Sequence, residues 1–287
     1  MLHRYSLTVP SYLCAPDDKV GLDGLAGIFQ EGAWQHAGAL GVSFTEEDTQ
    51  VFWALHRLGV RVSRRPRWGE EITVTTWPSR LERLFAMREF TVHQGTELLV
   101  EASTAWLVLR ARDSRPVPPV RHFPEGDLKG DYPFEMPLGR VPVIPEERVD
   151  ALLAEATWQR VRPSDADRNE HVNNTRYAQW FADEVPHLLE AALPGLILTF
   201  TAETRPGQEY AVITDGADPV QGGAGIAEIH VRDSASGPEA GPGRKAGPGR
   251  KVGPGAGRAE PETEPGAPPS APAAARCACR LNRVPAA

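Results

Sequence analysis

Residues 20–29 can be laid over residues 172–181 at an offset of 152, and Arg67-Trp-Gly-Glu-Glu71 over Arg205-Pro-Gly-Gln-Glu209 at an offset of 138. The shortfall of 14 residues fits a longer helix-to-strand loop in the first half, roughly residues 39 to 52. A chain that repeats itself in this way is built from two copies of one supersecondary unit. The first copy sets its content. Residues 3 to 13 alternate like a strand, and apolar residues then take helical spacing at Leu22, Leu25, Ile28, Phe29 and Ala33. Four runs rich in β-branched and aromatic residues follow, Phe52 to Arg64, Glu71 to Pro78, Leu84 to His93 and Leu98 to Arg110, separated by turn residues. The unit is therefore strand, long helix, antiparallel meander, and the class is α+β.

Between the copies, from Asp113 to about Glu147, prolines crowd in at 116, 118, 119, 124, 133, 137, 142 and 145. Such a segment is stiff, extended and poor at forming a core, so it reads as a connection. The second copy opens with a short strand at Trp158 to Val161 and continues with strands at Leu196 to Glu203 and Glu209 to Thr214. Past Val231 the chain becomes Gly, Pro and Ala with a repeated Gly-Pro-Gly-Arg-Lys, which cannot bury enough apolar surface to fold. Alternation returns at Ala275 to Val284, so the spacer reads as an insertion in the last hairpin. The expected organisation is a first unit over 1–112, a linker over 113–147, a second unit over 148–232, a disordered insertion over 233–275 and a closing strand over 276–287.

The second copy carries the chemistry-bearing stretch, Asp165-Ala-Asp-Arg-Asn-Glu-His-Val-Asn-Asn174. Polar groups at every second position, Asp167, Asn169 and His171, give way to helical spacing at Tyr177, Trp180, Phe181, Val185 and Leu188, which describes a loop feeding a helix. Asn173 or Asn174 suits the N-cap, because its side-chain oxygen can accept from the unpaired amides of the first turn. His171 then stands at the mouth of the helix, where free N–H groups and the positive end of the dipole favour a developing negative charge. The competing account is that these residues only cap a helix and that His171 is an ordinary surface residue.

Composition narrows the classes. No run reaches the ~18 apolar residues of a membrane span. The amino terminus lacks the long apolar core of a signal peptide, so the cytoplasm is the expected compartment. A net charge of −7 argues against broad nucleic-acid binding. Cys14, Cys277 and Cys279 do not form a disulfide framework, and Cys277 and Cys279 lack two further zinc ligands nearby, so reduced thiols and no metal are expected.

The Asp-x-Asn-x-His-Val-Asn-Asn run and its Tyr- and Trp-bearing helix resemble the acyl-acyl-carrier-protein thioesterases of plants and bacteria. So do Trp53-Ala-Leu-His-Arg-Leu58, Pro66-Arg-Trp-Gly-Glu-Glu71, Thr76-Trp-Pro-Ser79 and Ala105-Trp-Leu107. The likeness covers residues 1 to about 232. It implies a double hot-dog, two tandem units each with a long helix wrapped by antiparallel sheet. It also implies hydrolysis of fatty acyl-carrier-protein thioesters without a cofactor, by a monomer or homodimer. The partners would be the acyl carrier protein, with its acyl-phosphopantetheine, and the fatty acyl chain. Nucleic acid and membrane insertion are not expected. A non-catalytic acyl-binding module and an acyl-CoA thioesterase or hydratase on the same fold are the alternatives.

By the same resemblance the functional residues map onto Asp167, Asn169, His171 and Glu203, the last within Thr199-Phe-Thr-Ala-Glu-Thr204. Thr204 stands where plant members carry a cysteine, which puts a thiolate mechanism in doubt. The expected roles are Glu203 as general base, partly buried against the acyl tunnel, and Asn169 and His171 positioning water and carbonyl. Asp167 would hold the loop, and the amides of Val172 and Asn173 would receive the oxyanion. Phe29, Trp34, Trp53 and Trp106 are candidates to close the tunnel. Seven arginines against three glutamates in residues 61 to 88 suggest a docking face for an acidic carrier.

Overall fold

A computed structural model describes residues 2–43, 50–123, 128–133, 135–185, 188, 195–216, 226–234 and 274–283. The first half runs β1 (His3–Thr8), α1 (Leu22–Ala39), β2 (Val51–Val62), β3 (Glu71–Glu82), β4 (Phe85–Gln94) and β5 (Glu97–Arg110). A two-residue strand, β6 (Pro116–Val117), pairs with β5, and α2 (Glu146–Glu155) precedes the second half. That half runs β7 (Gln159–Arg160), α3 (Asn174–Glu184), β8 (Leu196–Phe200), β9 (Gln208–Asp215), β10 (Ile226–Asp233) and β11 (Arg276–Arg283).

The sheet makes the duplication visible. Its order is β1-β3-β4-β5-β2-β8-β11-β10-β9-β7, so β1 to β5 and β7 to β11 trace the same path in opposite directions from the centre. The halves meet where β2 pairs antiparallel with β8, from Arg57↔Thr199 to Val60↔Leu196. Both sequence offsets reappear as backbone geometry. Cys14 bridges Val20 as Ala166 bridges Val172. Val20 N–H donates to the Pro66 carbonyl and Val172 N–H to that of Thr204, each at 2.8 Å. Asp18 and Glu170 both take positive φ, 60° and 61°.

The helices pack on one face of the sheet because their apolar stripes demand it. α1 buries Leu22, Leu25, Ile28, Phe29 and Ala33, and α3 buries Tyr177, Ala178, Trp180 and Phe181. They join one core with the inward residues of the strands, such as Ile72, Val74, Phe90, Leu198 and Ile229. A helix against a wrapping antiparallel sheet, twice over, is the double hot-dog arrangement expected from the sequence.

The proline-rich segment does more than connect. Met136 is 2% exposed and packs with Met87, Ala105 and Ile197. Ile197 alternates with the inward Leu196 and Leu198, so this second cluster lies on the face of the sheet away from the helices. Arg57 donates to the carbonyls of Pro137 and Gly139, Asn282 to that of Pro142, and Trp77 Nε1 to that of Asp131. The segment is a strap laid across strands of both halves. The helix α2, not expected from the sequence, follows it and is held to β9 by an Arg148–Asp215 ion pair. Of the insertion expected over 233–275, residues 235–273 lie outside the described residues, while β11 pairs with β10 and β8.

Candidate active site

The loop before α3 is knotted by its own polar groups. Asp167 Oδ1 accepts the Asn169 N–H at 2.8 Å, the local turn that Asp favours, and Asp167 N–H donates to the His171 carbonyl at 2.8 Å. Asn173 is the N-cap, its Oδ1 accepting from Thr175 N–H at 3.0 Å. The helix stops at Glu184 because Pro186 forces Val185 out of helical geometry. Val185 and Leu188 are nonetheless buried.

This loop brings His171 Nε2 to 3.2 Å from Glu203 Oε2. The two groups are close but not aligned as a hydrogen bond, and Nε2 is otherwise buried with no hydrogen-bond partner. They touch directly, so no cavity separates them. The Glu203 side chain, expected to be partly buried, is 50% exposed. It lies beyond the end of β8, where solvent reaches it. Asn169 is exposed, and its side chain makes no hydrogen bond among the described residues.

The two expected oxyanion amides are already committed. Val172 N–H donates to the Thr204 carbonyl at 2.8 Å and Asn173 N–H to that of Asp165 at 2.9 Å. Both hold the loop to its neighbours, so neither is free to receive a new charge. The N–H of Asn174, the first helical residue, donates to no described group. It stands at the positive end of α3.

Asn174 also lines a narrow apolar cleft with Ala26, Phe29, Gln30, Leu55, Leu58, Trp106 and Phe200, whose free volume is only about 10 Å³. Of the four aromatic residues expected to close a tunnel, Phe29 and Trp106 line this cleft. Trp34 is 59% exposed, and Trp53 Nε1 donates to the Val42 carbonyl.

The twin position in the first half has different chemistry. Asp17, Lys19 and Arg65 stand where Asn169, His171 and Glu203 stand in the second, and Asp17 ion-pairs with both cations. The arginine-rich face expected over residues 61 to 88 is only partly a surface: Arg67 and Arg83 are exposed, while Arg65 and Arg88 are buried. Arg64 is engaged by Glu70 and Glu97, and Arg80 by Glu82 and Glu89.

Among the cysteines, Cys279 lies on β11, paired with Phe200 of β8, so it comes nearer to the motif than sequence distance suggests. It is fully buried, and burial drives its thiol well above the ordinary range. A protonated buried thiol is not a nucleophile. Cys277 also approaches Glu228 and His230, their potential ligand atoms all lying within 4.8 Å of one another. Glu228 there accepts from Arg280 Nε and Ile144 N–H and sits 2.8 Å from His230 Nε2. These hydrogen bonds balance its charge, and the group fastens the strap to β10. The sequence reading missed this cluster because β10 and Cys277 are separated by the insertion.

Comparison with known proteins follows the same lines. Residues 1–122 match the family model described as acyl-ACP thioesterase N-terminal domain, and residues 153–239 the one described as acyl-ACP thioesterase C-terminal domain. The chain is 27% identical over 238 residues to a chloroplastic acyl-[acyl-carrier-protein] hydrolase of Cuphea viscosissima, covering 77% of this chain and 56% of that protein. It is 29% identical over 203 residues to a chloroplastic palmitoyl-acyl carrier protein thioesterase of Gossypium hirsutum, covering 65% and 48%. The chain thus spans about half the length of these relatives. Among solved structures, an acyl-ACP thioesterase from Bacteroides thetaiotaomicron superposes with a TM-score of 0.69 at 19% identity, covering 98% of this chain and 96% of that one. The 12:0-ACP thioesterase from Umbellularia californica gives 0.62 at 20% identity, covering 79% and 91%.

Proposed function

Because the chain belongs to the acyl-ACP thioesterase family, we propose that it hydrolyses the thioester joining a fatty acyl chain to acyl carrier protein, releasing free fatty acid and carrier thiol. The observation that carries this reading is the His171–Glu203 pair, 3.2 Å apart at the mouth of α3. An apolar cleft begins at the next residue but two, Asn174.

In this reading Glu203 takes a proton from a water bound on its solvent-exposed side, next to His171. The resulting hydroxide adds to the thioester carbonyl carbon, and the C=O electrons move onto oxygen. The N–H of Asn174 stabilises that oxyanion, replacing the amides of Val172 and Asn173 in this role. Collapse of the adduct expels the thiolate, which recovers the proton from Glu203, with His171 within reach to relay it. Asp167 holds the turn and Asn169 borders it. The first unit, residues 1–112, supplies the wall for the acyl chain, and the second, 148–232, supplies the pair. The cytoplasm is the compartment of this reading.

The test is a carrier-linked assay. Medium and long acyl-carrier-protein substrates should yield free thiol, and His171→Ala should lower kcat by roughly 10² to 10⁴, as removal of acid-base or positioning groups does. Tight acyl binding without thiol release would make the protein a binding module instead. Hydration of an enoyl substrate would make it a hydratase.

A further inference from the structure

We infer that Gln30, on the helix of the first half, is a second donor to the thioester oxygen, so that the single reaction centre is assembled from both copies. The inference rests on the hydrolase reading above and adds a residue outside the motif.

Three observations place Gln30. First, Ala26, Phe29 and Gln30 line the cleft that Asn174 also lines. Positions spaced by three and four share one face of a helix, so this side of α1 is turned toward the start of α3. Second, the helices meet just there. A Cβ built on Gly27 would lie 3.9 Å from Thr175 Cγ2, and Gln30 is three residues on from Gly27, along the same face. Third, the cleft offers four residues with polar side-chain groups, Gln30, Thr104, Trp106 and Asn174, and two of them are committed. Thr104 Oγ1 donates to the Arg88 carbonyl and accepts from Trp106 Nε1. The amide of Gln30, half-buried, makes no hydrogen bond among the described residues. It is a neutral donor in an apolar wall, lining the same cleft as Asn174, whose N–H donates to no described group.

A primary amide suits this task. It can donate to a developing oxyanion without gaining or losing a proton, and an apolar surrounding strengthens that interaction. It cannot serve as the base, so it leaves the role of Glu203 untouched. The twin position on α3, Ala182, has no such group, in keeping with the absence of a His–Glu pair in the first half.

Gln30→Met keeps the length of the side chain without the donor, and Gln30→Glu keeps its shape but presents an acceptor. Both should melt within a few degrees of the parent. With acyl-carrier-protein substrates, both should lose roughly 10² in kcat, the range seen when one oxyanion donor is removed. KM should change little, and the loss should be the same for short and long acyl chains. Gln30→Glu should regain activity, relative to parent, as pH falls and its carboxyl becomes a donor again. A folded Gln30→Met that keeps parental kcat sinks the inference. So does a loss confined to KM that grows with chain length, which would make Gln30 part of the chain wall. In either case the parent's own hydrolysis, and its dependence on His171, would leave the hydrolase reading standing. A parent that releases no thiol would remove both.

Discussion

Glu203 and Arg65 hold the same place in the two copies, yet one side chain is half exposed and the other almost wholly buried. Their neighbours explain the split. Arg65 is held by Asp17, whereas Glu203 faces an imidazole at the open end of a strand. Asp167, Asn169 and His171 were legible in the sequence because their pattern is local: a turn residue, a cap and a helix start within ten positions. The state of the amides was not legible. Whether Val172 N–H is free depends on the Thr204 carbonyl, and that is a contact between loops 32 residues apart. A buried histidine gives a prediction at this scale. His36 Nδ1 lies 3.0 Å from Arg88, and burial, reinforced by that guanidinium and by His3, lowers its pKa from 6.5 to about 4. The fold therefore favours the neutral ring. The stability this contributes is complete above about pH 6.5 and is lost as pH falls toward 4, since the unfolded chain takes up the proton first. Replacing His36 by Asn should flatten the fall of Tm between pH 7 and pH 4 relative to parent. Parallel curves would refute the assignment.

Among the elements, α1 shows what one helix must accommodate. A Cβ on Gly24 would come 2.5 Å from the Leu13 carbonyl and 2.9 Å from Val20 Cγ1, so the helix can lie on that turn only with glycine there. Gly38, on the same helix, has nothing within 4 Å. Gly24→Ala should cost roughly 1 to 3 kcal/mol by overpacking, while Gly38→Ala should gain up to about 1 kcal/mol from helix propensity. Chemical denaturation of the pair decides it, and equal effects of one sign would contradict the geometry. The long strands of the first half were readable from their β-branched and aromatic runs to within a few residues. The short α2 was not, because a run of prolines to its amino-terminal side dominates the local signal, although Pro145 and the acidic pair Glu146 and Glu147 are ordinary helix-start residues. The strap was misjudged for a related reason. Proline content reports stiffness, but what covers the outer face of a sheet depends on side chains of several strands, among them Arg57, Asn282 and Glu228.

At the scale of the molecule, the duplication was visible as two offsets, and both survive as paired backbone bonds. What no offset could reveal is that the halves share one seam, β2 against β8, and one strap. The insertion enters between β10 and β11, which lie side by side with Val231 opposite Arg276. Replacing residues 235–273 by a short turn should therefore leave Tm unchanged or raised, because closing a shorter loop costs less entropy. A large drop in Tm would show that the segment packs on the rest. The far root of that segment is Arg276, whose guanidinium donates to the Glu203 carbonyl at 2.8 Å. Anything spliced into this stretch is thus leashed beside the His171–Glu203 pair, and a cargo carried there would meet the carboxylate at a local concentration set by tether length, independent of how dilute the solution is.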